Sequence, residues 1–543
     1  MNKSRLTTAL VPLILSLGLV GGIFIGRVFF QRSISPDEEK LKTMLGLIQS
    51  EYVDDISLDS IMEGTYAGLM DMLDPHSVYI PASDVEGVTD ELEGSFSGVG
   101  VSFQIISDTV NIIEIVPGGP AETVGLKPGD KILKANGVDL TGQNATNENV
   151  YKNLRGSKGS KVNLEVKRSN SDKPVSFTVT RGDVPQTSVD AKYLLSEGVG
   201  YIKVSKFART TYDEFSNALQ ILQAKGAEKF VIDLRGNSGG YMDQAVLMAN
   251  EFLPADRMIV YTKGKNPMNE SYAVSNGGGH YLDNELVVLT DEFSASASEI
   301  FAGAIQDNDR GLVIGRRSFG KGLVQNQLPL PDNSAIRLTV ARYYTPSGRS
   351  IQKEYKLGEA NKYDLDLTDR YKNGEFYNVD SIKLDKTKKF QTTTGRTVYG
   401  GGGIMPDIFV PEDTIGMTGY YISVSNGGLI QQYAYDVAAK NRAKLSAAKT
   451  TQQFMSILPD DDTLLEGFVD YAASKGVPAR WYYINQSKDL ILRQLKAIIA
   501  RDIMGYSKFV EILNSDDKTV KRAMKALQSG ESPIIIAPSP QKK

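Results

Sequence analysis

Between residues 198 and 315 short apolar runs alternate with amphipathic ones. FVIDL (230–234), LVVLT (286–290) and GLVIG (311–315) are apolar nearly throughout and GYIKVSKF mostly so, which predicts strands buried on both faces. The stretches between them carry helical periodicity. In TTYDEFSNALQILQAKG, Phe215, Leu219 and Leu222 share a face, Thr211 and Glu214 suit a capping box, and Gly226 ends the helix. YMDQAVLMANEFL and SEIFAGAIQDN read the same way. Buried strands alternating with helices predict an α/β core with parallel βαβ connections.

Other regions carry other patterns. Residues 8–26 form an apolar run preceded by Lys3 and Arg5 and closed by Arg27. Its length and flanking charge predict an uncleaved signal anchor, residues 1–30, with the N-terminus in the cytoplasm; a cleaved signal is the alternative. Both export the remainder of the chain. Residues 31–90 form a helical segment, with Leu41, Met44, Leu45 and Ile48 on one face and Ile61, Thr65, Leu69 and Met72 on another. LDPHSVYIPASD then places Pro and Asp at turn positions. From about residue 414 to 530 the pattern is again helical, with Ile491, Leu495, Ile498 and Ile499 on a packing stripe, and residues 531–543 read as a disordered tail.

Residues 91–184 break into short strands, GVGVSFQI, VNIIEIV, DKILKANGV, KVNLEVKR and VSFTVTR, with one brief helix at 121–124. PGGPAETVGLKPGDKIL sits among them, and with the strand pattern it resembles the bacterial members of the PDZ family. That resemblance implies a peptide-binding edge strand and a carboxylate loop. In this chain they fall at Gly98, Val99, Gly100, Val101 and Phe103. Arg168, at the end of KVNLEVKR, is read as a solvated surface arginine rather than a contact to the core.

Composition narrows the chemistry. The net charge is −4, with 61 Lys and Arg against 65 Asp and Glu, which argues against a nucleic-acid surface. There is no cysteine, so disulfides, thiolate catalysis and cysteine metal sites are excluded. The two histidines, His76 and His280, lack metal-ligand spacing, and no metal or other cofactor is expected.

The remaining chemistry gathers in LVVLTDEFSASASEIFAGAIQDNDRGLVIGRRSFGKGLVQ, residues 286–325. Ser294, Ser296 and Ser298 lie at the carboxyl end of a strand and the start of a helix, where ligands collect in open α/β folds. A serine there can equally be a plain helix cap. SFGKGLVQ follows the next strand, and adjacent parallel strands lie only ~5 Å apart, so Lys321 is the base within reach of these serines. An ordinary lysine, with a pKa of about 10.4, is no base at neutral pH. Gly320 and Gly322 permit close backbone approach, and Phe319, Leu323 and Val324 supply apolar walls that desolvate the amine. Gln325 can orient that amine without recharging it. A third loop, DLRGNSGG, leaves backbone amides exposed, making Gly240 and Ala297 the candidate oxyanion donors. A triad through His280 is the competing scheme, while His76 suits a structural turn.

LDPHSVYI, GSFSGVGVSF, DLRGNSGG, SASASE, SFGKGLVQ, YYTPSGRSIQ and GIMPD occur in this order. Together they resemble the carboxy-terminal processing, or tail-specific, serine peptidases. The resemblance implies a multidomain α/β + β chain: a crotonase/ClpP-like α/β peptidase core over residues 185–413, an inserted PDZ domain, an N-terminal helical segment and a C-terminal helical extension outside the usual family pattern. It implies Ser296 as nucleophile, chosen among the three serines by its 25-residue spacing to Lys321, with Lys321 as general base, Gln325 as its orienting partner, and Gly240 and Ala297 as the oxyanion hole. The expected partners are protein or peptide substrates with free C-termini and the membrane, with a homo-oligomer left open; the expected location is the bacterial cell envelope, with the catalytic part in the periplasm. A non-catalytic, membrane-tethered PDZ adaptor is the alternative.

Overall fold

A computed structural model describes residues 35–531 apart from 107, 169, 170 and 172. The expected anchor and all but the first residue of the expected tail lie outside the described residues. No described helix is long and apolar enough to cross a membrane.

Two helices, Pro36–Glu51 and Leu58–Asp71, account for most of the first unit, which ends at Leu69. Ser35 and Glu38 close a capping box on the first helix, while Leu41, Met44 and Leu47 are exposed along it.

In the second unit the chain enters a small β domain through Ser95–Gly98 and leaves through Gly182–Pro185. These two strands pair antiparallel, Ser95 opposite Pro185 and Gly98 opposite Gly182. Closing both ends of the insertion on each other is what makes it a separate module. Its main sheet runs Val101–Ile106, Thr109–Ile115, Lys131–Ala135, Lys161–Lys167, Val175–Thr180 in spatial order. Val162, Leu164 and Val166 alternate inward along one strand, as period-two patterning requires. A second helix, Asn147–Leu154, joins the expected short one: Thr146 caps it, and Val150 and Leu154, four residues apart, are its two buried side chains. Two buried positions in eight residues give too weak a periodic signal to be read locally. Arg168 is not merely solvated. It forks onto Asp130 at 2.6 and 2.7 Å within the same module.

The core sheet runs Val189–Ser196, Val199–Val204, Lys229–Asp233, Glu285–Thr290, Leu312–Gly315, Ile408–Phe409. Its first pair is antiparallel and the rest are parallel, as the βαβ pattern predicts. Alternate residues of each strand enter different cores. Ile202, Phe230, Ile232 and Val288 pack with the helices Thr211–Ala224, Met242–Asn250 and Ala297–Asp307. Tyr201, Val231, Val287 and Leu289 face Val510, Val520, Ala523 and Leu527 of the C-terminal helices Tyr506–Asn514 and Lys518–Ser529. The end of the extension is thus the second cover of the peptidase sheet. Further bonds tie it there: Asn514 donates to the Tyr193 hydroxyl at 2.7 Å, and Lys229 to the Leu527 carbonyl at 2.8 Å. The preceding helices, from Gly419 to Met504, form their own core, in which Ile491, Leu495 and Ile499 are buried.

An antiparallel sheet stands beside this core, with Ala335–Tyr344 flanked by Val78–Ile80, Met258–Gly264 and Leu323–Pro329. The expected Thr211 capping box is replaced. Thr210 holds the N-cap position and donates to Glu214, whose other oxygen accepts the Ser188 and Val189 amides.

Candidate active site

The strand Glu285–Thr290 ends in a turn built around Asp291, whose Oδ1 accepts the amides of Gly236, Phe293 and Ser294. The three serines after it then separate. Ser294 is buried and donates to the Leu234 carbonyl at 2.9 Å; Ser298 is buried and donates to the Asn237 carbonyl at 2.9 Å. Both are structural. Ser296 alone of the three reaches the surface, and its backbone sits at φ 55°, ψ −114°, a region a non-glycine residue rarely adopts. Such local strain persists where the surroundings over-determine it, and it thrusts a side chain out of a strand-to-helix turn.

The surroundings here include the glycine loop. Gly239 has φ +105°, and a Cβ placed on it would lie 2.7 Å from the Ser296 Cβ. Gly240 has φ +142°, and a Cβ there would fall 2.1 Å from the Phe207 carbonyl oxygen. No other residue type lets this loop pass so near the serine. Among the described residues neither the Gly240 nor the Ala297 amide donates to a protein acceptor.

Lys321 comes from the loop between Leu312–Gly315 and Leu323–Pro329. Two groups lock that loop to the serine turn. Glu299, wholly buried, accepts the Ser296 amide at 2.9 Å and the Lys321 amide at 2.8 Å on the same oxygen. Its other oxygen takes the Gly320 amide at 2.7 Å and the Ser318 hydroxyl at 2.5 Å. Desolvation pushes the Glu299 carboxyl up to about 7, against the pull of those four donors. The Tyr343 hydroxyl sits between the Ser296 and Lys321 carbonyl oxygens. Backbone position on both loops is therefore set by side chains that neither loop exposes.

Burial brings the Lys321 amine below the ordinary lysine range, and the charge of Arg337 adds to this, while Glu299 and Asp74 oppose it. Among the described residues it has no ion-pair partner within salt-bridge distance. Gln325 lies opposite Thr339 in the strand ladder and donates to its hydroxyl at 3.2 Å. His76 is nearer to this chemistry than a simple turn residue. Its ring meets the Tyr363 hydroxyl at 2.9 Å, and burial, with the Lys321 charge, brings it down to about 4. His280 instead has an exposed ring 3.4 Å from Glu251.

In the β module, Val99 is buried and its carbonyl accepts the Ala121 amide at 2.7 Å; Gly100 has φ +79°. Val101 and Phe103 lie on the strand Val101–Ile106, whose outer edge carries no paired strand among the described residues. Phe103 meets Tyr151 of the helix Asn147–Leu154 edge to face at 5.3 Å. Gly98 ends the strand that enters the module. Gln104, on the same edge strand, donates to Gln431 of the C-terminal helices at 2.7 Å. Glu299, Tyr343, Asp74 and Thr339 were passed over by sequence reasoning. Glu299 had a local signal, a carboxylate three residues into the helix after the serine turn.

Sequence comparisons agree with this architecture. Residues 198–358 match peptidase family S41, residues 97–187 the PDZ domain, and residues 420–505 a family of unknown function, DUF8443. The carboxyl-terminal-processing protease of Synechocystis sp. (strain ATCC 27184 / PCC 6803 / Kazusa) is 36% identical over 300 residues, 54% of this chain and 69% of that protein. Carboxy-terminal processing protease CtpB of Bacillus subtilis (strain 168) is 35% identical over 58% of this chain and 66% of its own length. CtpA of the same organism is 29% identical over 86% of this chain and 96% of its own length. The chain belongs to peptidase family S41, with the carboxy-terminal processing proteases, and is a serine-type peptidase carrying a PDZ domain. This sets aside the non-catalytic adaptor.

Proposed function

We propose that Ser296 and Lys321 act as a Ser-Lys dyad that cleaves proteins presented by their C-terminal tails. The observation that carries this reading is a desolvated, unpaired lysine amine on a loop bolted to the Ser296 turn through one Glu299 carboxylate. Neutral Lys321 takes the Ser296 proton as Oγ attacks the peptide carbonyl, and the developing oxyanion meets the Gly240 and Ala297 amides. Lys321 then hands the proton to the leaving amine, and water repeats the sequence on the acyl-enzyme. Each pKa unit by which a lysine is lowered disfavours its ammonium form by about 1.4 kcal/mol, so burial without a counter-ion is an effective way to make it a base.

Gly98, Val99, Gly100, Val101 and Phe103 form the tail-binding edge in this reading. Strand addition to the open edge gives register, and the amides around Gly100 receive the terminal carboxylate. The core is read as crotonase-like and the 8–26 run as a membrane anchor that places the catalytic part outside the cytoplasm of a bacterial cell. Labelling with a serine-directed probe, lost in Ser296→Ala, tests the nucleophile. Tail recognition is tested by comparing a peptide substrate with its C-terminally amidated form. Equal KM values for the two would remove the carboxylate from recognition.

A further inference from the structure

Three neighbouring strands of the antiparallel sheet carry a hydrogen-bond chain that ends at Gln325. The turn before Val78–Ile80 contributes Asp74 and Ser77, Ala335–Tyr344 contributes Thr339, and Leu323–Pro329 contributes Gln325. Asp74 is buried and accepts from the Ser77 hydroxyl at 2.6 Å, the Thr339 hydroxyl at 2.8 Å and the His76 amide at 3.0 Å. The Thr339 amide donates to Ser77 Oγ at 3.1 Å. Every contact to Asp74 is from a donor. Burial works to raise its carboxyl, yet those donors together hold it below the ordinary value, so it is ionised and only accepts.

The donor count then propagates. Thr339 has one hydroxyl hydrogen, and Asp74 takes it. What Thr339 can offer Gln325 is a lone pair, so the Gln325 amide must turn its NH2 toward Thr339, 3.2 Å away. Its carbonyl oxygen is thereby committed to the opposite side. A bulge between Val324 and Gln325 breaks the ladder there, a device that re-aims a side chain relative to the residues before it, including Lys321 four positions back.

We propose that Asp74 and Thr339 are positioning residues that lock the Gln325 amide with its oxygen toward the Lys321 amine, so that the lysine lone pair is left pointing at Ser296. The inference rests on the dyad reading. Without the lock the amide could flip and present NH2 to the lysine, leaving the amine unoriented. Asp74 also acts on Lys321 through space. Among the described residues the charged or titratable groups that act electrostatically on that amine are Arg337 from the central strand, Glu299 from the serine helix, and Asp74 and His76 from the turn.

The test uses the peptidase activity of the full chain on a tail-bearing peptide, with thermal melts as a check on folding. Thr339→Val removes the hydroxyl; kcat should fall at least about tenfold with KM unchanged, and Thr339→Ser should restore most of it. Asp74→Asn keeps an acceptor for Thr339 but removes the charge, so the acid limb of the kcat/KM profile should move to lower pH. Thr339→Val as fast as the parent, or Thr339→Ser as slow as Thr339→Val, overturns the lock. Should Thr339→Val fail to fold, Asp74→Ala, which takes away the acceptor that holds the Thr339 hydroxyl hydrogen, replaces it: a kcat on the pH plateau equal to the parent's overturns the lock, while the acid limb of Asp74→Asn reads only the through-space effect. Lys321→Ala separates the two readings: activity there sinks the dyad itself, whereas an inactive Lys321→Ala beside a fully active Thr339→Val sinks the lock alone.

Discussion

Two lysines on neighbouring segments, Lys321 and Lys353, are both desolvated, and burial brings both below the ordinary lysine range. Their surroundings otherwise differ. Lys353 donates to Asp366 at 3.0 Å and to the Tyr363 carbonyl at 3.2 Å, and its ammonium stands 3.9 Å from the centres of the Phe319 and Tyr363 rings. It is a satisfied cation. Lys321 has the burial without such partners among the described residues, and the two carboxylates whose charges bear on it already accept other donors, Glu299 four and Asp74 three. Burial alone does not make a lysine a base. The base role proposed for Lys321 needs burial together with nearby carboxylates that are already hydrogen-bonded.

The sharpest way to break that comparison is Lys321→Met. Peptide cleavage should fall by at least about a hundredfold, the scale of a lost general base. The thermal midpoint should hold or rise, because an uncompensated amine has been replaced by an apolar chain. Lys353→Met should behave in the opposite sense. Stripping the partner from Asp366 and the two rings should cost about 1–3 kcal/mol in a denaturant midpoint, with activity of the folded protein kept within tenfold. Equal inactivation by the two substitutions would mean that the two amines do not differ in role.

A smaller effect concerns pH. Below its folded-state pKa Lys321 is charged and cannot accept a proton, so kcat/KM should rise with pH through that pKa. The same depressed value has a stability consequence. Between the folded pKa and the ordinary lysine value near ~10.5 the unfolded chain binds more protons, so this group's contribution to stability grows as pH rises through the window. Lys321→Met should flatten that slope. Arg337→Gln should have the smallest effect, moving the acid limb of the activity profile upward by less than about one pH unit, since a cation that depresses Lys321 is gone. A downward shift would contradict the electrostatic account.

The contrast between the two lysines was only half legible in the sequence. GKG flanked by Phe319, Leu323 and Val324 announces a lysine drawn against apolar walls, while the choice of Ser296 within SASAS came only from the spacing that the family resemblance implies. Lys353, in SIQKEY, looks like an ordinary surface lysine, and nothing local tells of Asp366 or the rings. The strands and helices of the core were readable because buried parallel strands and one-sided helices write their periodicity into contiguous residues. The helix Asn147–Leu154 was not, because two buried side chains in one short segment are too few to set a period.

By itself the amino-acid order determined the βαβ alternation, the short-strand module with its glycine-rich loop, and the loops that bear the serines, the lysine and the glycines, all features encoded within a turn or a strand of one another. Only the tertiary structure decided which serine is half-buried and strained rather than fully buried, that Glu299 and Tyr343 hold two loops together, that Asp74 sits across a sheet from Gln325, and that the last helices cover the peptidase sheet. The reason is physical: periodicity is a local property of the chain, whereas the pairing of each buried donor with an acceptor is settled among residues hundreds of positions apart, once burial has removed water as the alternative partner.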